Sequence, residues 1–284
     1  MGNDMGYELN EAAEARASKA AQSIRKHFDL GGDKVPATIA VFFTTELDQH
    51  VEWEEDNPTV MGFDLIKGFE ALGELGKVKG HARQLFLNTM GEKRIWRVSG
   101  RIHLNENPMN PGPVVAMVRL QIDMLCKLGV KTFILLSAVG STTPTVMVGQ
   151  IGVIQHFLSG GGPLTGCSGE FPMIEEALCP DLQRIAFEEA ALFQAVPVIH
   201  FFWHGPHVES PEQKRLLASW GAHVVGMSNQ PEADAAARQD AKVLSLGYVT
   251  NGYTHSHDAV INAVGKYGSD WMGHLSRVVA HINA

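Results

Sequence analysis

Six short apolar runs in the chain are each followed by residues able to do chemistry. Thr44-Thr45 follows residues 35–43, Gly100-Arg101-Ile102-His103 follows 95–98, and Ser137-Ala138-Val139-Gly140 follows 133–136. His204-Gly205-Pro206-His207-Val208-Glu209 follows 199–203, Met227-Ser228-Asn229 follows 224–226, and Thr250-Asn251 follows 246–249. Arg101 and His103 alternate on an extended segment, which puts both side chains on one face. A guanidinium fork with an imidazole donor suits a phosphate dianion. Thr45, Ser137 and Ser228 can add hydroxyl donors. Each also has an ordinary structural use: Arg-x-His serves on strand surfaces, and Ser or Thr closes turns. Taken alone, these residues leave both readings open.

The elements that must position them follow from periodicity and punctuation. An Ala-rich helix is expected over 11–28, ending before Gly31-Gly32, with residues 1–9 a loose tail. Residues 35–43 read as a strand, and 83–90 with 94–103 as a hairpin about Gly91-Glu92. Helices are expected over 113–128, 176–193, 231–241 and 258–282, with strands over 132–138, 145–154, 196–203, 224–227 and 243–250. Ser210-Pro211-Glu212 is a helix start, with Ser as cap and Pro at the first position. The Gly-rich stretch 159–169 reads as a long loop near a site or a subunit contact. Strands alternating with helices give an α/β fold: three layers, helix–sheet–helix, around a central mixed, twisted sheet. No linker or repeat divides residues 1–284, so one domain is expected. In such sheets ligands bind beyond the carboxyl ends of the strands.

Composition narrows the classes further. Of 284 residues 45% are hydrophobic and 19% charged, so a sizeable core can be buried. The net charge of −8 argues against a nucleic-acid binder but not against a small anion held by a few local cations. Three cysteines, Cys126, Cys167 and Cys179, do not form a disulfide framework, and the polar start lacks a secretion signal. A cytoplasmic protein with no membrane association is expected. No Gly-x-Gly-x-x-Gly, Walker loop or Gly-x-Ser-x-Gly elbow occurs. His255-Ser256-His257 has no carboxylate or cysteine set at ligand spacing, so no metal site is read there.

Several segments, in order from about residue 35 to the C-terminus, resemble the purine nucleoside phosphorylases of the trimeric, 6-oxopurine type. Lys79-Gly80-His81-Ala82 resembles their Pro-Gly-His-Ala loop, and Gly100-Arg101-Ile102-His103-Leu104-Asn105-Glu106 their Gly-Arg-Phe-His-Met-Tyr-Glu. Ser137-Ala138-Val139-Gly140 is similar to Asn-Ala-Ala-Gly, and Gly205-Pro206-His207-Val208-Glu209-Ser210 to Gly-Pro-Ser-Phe-Glu-Thr. Gly226-Met227-Ser228 with Pro231-Glu232, and Val249-Thr250-Asn251, match Gly-Met-Ser…Pro-Glu and Ile-Thr-Asn. The resemblance implies phosphate binding by Thr45, His81, Arg101, His103, Ala138 and Ser228. It implies nucleoside binding by Glu209, Met227, Asn251 and His257, with Asn251, Glu209 and His103 in catalysis. Inorganic phosphate would be co-substrate, no cofactor is implied, and the expected assembly is a homotrimer serving purine salvage. Glu209 with Asn251 points to inosine and guanosine.

The chain also departs from the family. Thr44-Thr45-Glu46-Leu47-Asp48 stands where the family has Gly-Ser-Gly-Leu-Gly, so glycines that let backbone N–H groups close on phosphate are absent. Asn105 and Val208 replace aromatics near the sugar, and Ser137 replaces an Asn. Three outcomes are compatible with that pattern: phosphorolysis of 6-oxopurine nucleosides, a hydrolase or altered-substrate member such as a methylthioadenosine phosphorylase-like enzyme, and a non-catalytic purine-binding relative.

Overall fold

Residues 39–43 show how this chain builds a two-faced sheet. Ala40 and Phe42 pack with one apolar cluster, while Ile39, Val41 and Phe43 pack with another on the opposite face. Both sets are buried, as a strand covered on both sides requires. A computed structural model describes residues 2–31, 36–44, 47–55, 59–76, 78–160, 174–190, 195–252 and 257–282. The side chains of residues 2–9, 55 and 257 lie outside that description.

Among the described residues there are ten strands: β1 Ile39–Phe42, β2 Glu54–Glu55, β3 Met61–Gly62, β4 Gln84–Met90, β5 Lys93–Ser99, β6 Thr132–Ser141, β7 Ile151–Ser159, β8 Ala195–Phe202, β9 Val224–Gly226 and β10 Lys242–Asn251. The helices are α1 Gly2–His27, α2 Pro111–Lys127, α3 Ile174–Ala177, α4 Pro180–Glu188, α5 Pro211–Ser219, α6 Gln230–Ala237 and α7 His257–His281. The sheet runs β10-β7-β8-β9-β6-β1-β5-β4-β2, with β3 on β4 and a further pairing of β10 with β6. That last pairing closes β6, β10, β7, β8 and β9 into a five-stranded ring, while β1, β5, β4 and β2 continue as an open sheet. Pairings are mixed: β1 runs parallel to β5 and β6, and β10 parallel to β6 but antiparallel to β7. Helices α1, α2 and α6 contribute to the cluster on one face, and α4 and α7 to the cluster on the other. The expected mixed, helix-covered sheet is present.

Some boundaries differ from expectation for identifiable reasons. α1 starts at Gly2, so residues 2–9 extend the helix rather than forming a loose tail. An Ala-rich segment already nucleated at 11–27 propagates cheaply into its flank. The helix expected over 176–193 is two helices, α3 and α4, because Pro180 cannot continue the hydrogen-bond ladder and instead starts α4 at its first turn. The strand expected at 145–154 is β7, beginning at Ile151, since β6 runs on to Ser141 and turns intervene. Most of the 159–169 loop lies outside the described residues. No described helix is long and apolar enough to cross a membrane.

Candidate active site

The strand ends converge as expected. A cavity of about 240 Å³ is lined by Thr44 after β1, Ala138 and Gly140 on β6, Met227 and Ser228 after β9, and Thr250 and Asn251 on β10. Lys79, His81 and His103 come from the segments flanking β4 and β5, and Pro206, Val208 and Glu209 from the segment after β8. Seven of the ten residues singled out from the sequence therefore share one cavity: His81, His103, Ala138, Glu209, Met227, Ser228 and Asn251. Thr45 and the His257 side chain lie outside the described residues, as does Glu46.

Arg101 is the exception. Alternation placed it on one face with His103, but its guanidinium does not line the cavity; it is fully buried in the core. One terminal nitrogen donates to Asn229 Oδ1 at 2.9 Å and Glu232 Oε1 at 3.2 Å; the other donates to the Phe42 carbonyl at 3.1 Å and to the Leu136 carbonyl. The extended run breaks at Gly100, whose φ of +73° ends the strand, so strict alternation no longer applies at Arg101. Gly100 serves a second purpose: a Cβ there would lie 2.6 Å from His81 Cα, so only glycine admits the 79–82 loop this close.

His81 and His103 meet edge to face, with ring centroids 4.6 Å apart. The Arg101 backbone N–H donates to His81 Nδ1 at 3.0 Å, which leaves the proton of the neutral ring on Nε2. The His103 backbone N–H donates to Glu106 Oε1 at 3.0 Å, and its ring Nδ1 lies 3.5 Å from the same oxygen. Glu106 Oε2 accepts from Arg83 at 2.5 Å. Burial holds His103 down to about 3, helped by the charges of Arg101 and Arg83. Burial likewise holds His81 well below the ordinary imidazole value, with His103, Arg101 and Arg83 adding to it. Both rings are therefore neutral at pH 7. Burial pushes Glu106 up to about 7, against the pull of the His103 N–H and Arg83.

The second group in the cavity is Glu209 and Asn251. Burial raises the Glu209 carboxyl, and its own backbone N–H, then Lys214 and His207, act against that rise. Asn251 Oδ1 accepts from the Thr250 hydroxyl at 3.1 Å, and its Nδ2 donates to the Gly252 carbonyl at 3.3 Å. Met227 is held by Asn105, whose amide donates to Met227 Sδ at 3.4 Å. The arrangement can do three things: donate hydrogen bonds to an anion from neutral imidazole and hydroxyl, accept an N–H with a carboxylate, and donate an amide N–H nearby. Sequence reasoning missed Lys214 and the pairing of Arg83 with Glu106, and it quoted Gly140 at a strand end without a role. Lys214 and Arg83 do not follow an apolar run as part of a polar cluster, so the strand-end rule had no signal for them.

Residues 61–282 match the phosphorylase superfamily. The chain belongs to that superfamily. Among its relatives, purine nucleoside phosphorylase 1 of Bacillus subtilis is 26% identical over 243 residues, spanning 80% of this chain and 86% of the relative. Purine nucleoside phosphorylase of Mycobacterium tuberculosis is 31% identical over 204 residues, spanning 69% and 72%. Among solved structures, isoform 2 of the Schistosoma mansoni purine nucleoside phosphorylase, with cytosine and ribose-1-phosphate, superposes at a TM-score of 0.78 with 22% identity, covering 95% of this chain and 97% of that one. The superfamily fold is thus present across nearly the whole chain.

Proposed function

We propose that this superfamily member cleaves the N-glycosidic bond of 6-oxopurine nucleosides by phosphorolysis, releasing free base and ribose 1-phosphate. The observation that carries the reading is the presence of Glu209 and Asn251 in the same cavity as His81, His103 and Ser228. Relatives of known structure have been crystallised with inosine, guanosine and adenosine, which supports a purine nucleoside as substrate; the 6-oxopurine preference rests on Glu209 with Asn251. Glu209 accepts the ring N–H of a 6-oxopurine, a proton that adenine lacks. Asn251 donates to the base where negative charge grows as it departs. Preorganised donors of this kind contribute roughly 3–4 kcal/mol to lowering a barrier when water is excluded. Met227 lies under the sugar, and the resemblance assigns His257 to the ribose 5′-hydroxyl.

Phosphate is held by His103, Ser228 and the Ala138 backbone, with His81 beside it and Thr45 from the first loop. Arg101 contributes its positive charge from behind: that charge is felt at both imidazoles. A phosphate oxygen bonds to C1′ as the bond to the purine nitrogen breaks. The bonding pair leaves with the base, which takes a proton from water. The resemblance also carries a homotrimer, a place in purine salvage and a cytoplasmic location as part of this proposal.

One observation favours a second reading. Arg101 spends its terminal nitrogens on Glu232, Asn229 and two carbonyls, so it offers no fork to an anion. Water would then replace phosphate as nucleophile, giving free ribose. Incubation with inosine and phosphate, followed by separation of the products, distinguishes the two. Ribose 1-phosphate supports phosphorolysis, free ribose the hydrolytic reading, and the absence of any free base removes both.

A further inference from the structure

Lys214 lies on α5, four residues after the Ser210 cap, whose hydroxyl accepts the Gln213 N–H at 3.2 Å. Its side chain is wholly shielded from solvent. Its ammonium donates to the Gly252 carbonyl, the same oxygen that accepts from Asn251 Nδ2. Gly140 completes the group: a Cβ there would lie 2.8 Å from Lys214 Nζ and 2.9 Å from Asn251 Nδ2. Ammonium and amide thus stand together over one glycine of the cavity wall. Burying an ammonium is costly, and Met or Leu would fill the same space without that cost.

We propose that Lys214 is a positioning residue that sets base specificity. It holds the Gly252 carbonyl so that Asn251 is free to turn its amide to the base, and its positive charge favours the ionised form of Glu209. The base selected is one with a ring N–H for Glu209 and an acceptor for Asn251, a neutral 6-oxopurine. This rests on the function proposed above. Without Lys214, an Asn251 turned toward ligand would leave the part-buried Gly252 carbonyl without either of its two side-chain donors, which disfavours the binding geometry. The charged and titratable groups around Glu209 are few. Lys214 and His207 act on it directly, while Lys79, His81 and His103 line the same cavity, the two imidazoles being neutral. Burial drives the Glu209 carboxyl upward and Lys214 opposes it, so removal of Lys214 moves loss of the acceptor to higher pH.

The test is hypoxanthine binding by calorimetry between about pH 5.5 and 8.5, for the wild-type protein, Lys214→Met, Lys214→Gln, Glu209→Gln and Lys214→Met/Glu209→Gln. Lys214→Met weakens binding about tenfold or more at pH 7, the loss typical of a hydrogen bond to a charged group. It also moves the acidic fall-off in affinity to higher pH. Lys214→Gln keeps a donor for Gly252, so it retains affinity at high pH but shows the same moved fall-off. In the Glu209→Gln background Lys214→Met produces no such movement. Folded Lys214→Met or Lys214→Gln protein with wild-type affinity and an unmoved fall-off overturns the assignment. A wild-type protein that binds hypoxanthine but releases no base from inosine overturns phosphorolysis alone; one that binds no hypoxanthine overturns both.

Discussion

At the scale of single residues, the site combines neutral imidazoles with a shielded carboxylate, and burial sets both. In the proposed reaction Asn251 has the role most specific to bond breaking. Asn251→Ala is expected to lower kcat by about 100-fold or more while changing KM far less, as removal of a preorganised donor does. Equal losses in kcat and in base affinity would assign it to ground-state binding instead. A second expectation concerns His200 on β8, fully buried, with neither ring nitrogen hydrogen-bonded among the described residues. Burial takes it from its ordinary value of 6.5 down to about 3. Between those two values the unfolded chain binds a proton that the folded one does not, so stability is lost as pH falls through that window. His200→Leu removes this term. Its stability relative to wild type is expected to improve on acidification from pH 6.5 to 4.5 by at most about 1.4 kcal/mol per pH unit. Urea denaturation at several pH values measures it, and a constant difference would place the proton elsewhere. Most of these residues were legible from sequence because polar groups at strand ends mark a ligand end of an α/β sheet. Lys214 was not, since a lysine within a helix reads as a solvated face until tertiary packing buries it.

At the scale of elements, the junction after β5 carries the consequence of Gly100. Its positive φ brings the His81 loop against the sheet end and turns the Arg101 side chain into the core. Alternation along a strand holds only while the strand lasts, so the face assigned to Arg101 from sequence was the one feature of the pair that local pattern could not supply. The Arg101–Glu232 ion pair, both side chains almost wholly shielded, gives the test. Arg101→Met leaves a buried carboxylate unpaired and is expected to destabilise the fold by about 3–5 kcal/mol. Arg101→Met/Glu232→Gln is expected to recover most of that loss, by chemical denaturation. An Arg101→Met protein of full stability that has lost only phosphate affinity would make Arg101 a direct ligand. Caps and breaks were well marked: Ser210 and Pro211 start α5 as read, and Pro180 divides a helix that apolar periodicity alone ran together.

At the scale of the whole molecule, the alternation of strands and helices was enough to give a mixed sheet covered on both faces. Closure of five strands into a ring was not legible, because it depends on β6 pairing with β10, with Thr132 opposite Lys242, and no local period encodes a partner so distant in sequence. That pairing brings Gly140 beside Asn251, the residue proposed to meet the base. The ring and the open sheet meet at β6, where residues implied for phosphate and residues implied for base share one cavity. The central claim is that an oxyanion and a nucleoside occupy this cavity together. The most direct measurement is the initial rate of hypoxanthine release from inosine as inorganic phosphate is raised from zero. The account predicts negligible release without phosphate and a rate that rises to saturation with it. Release that proceeds at the same rate at every phosphate concentration would contradict it.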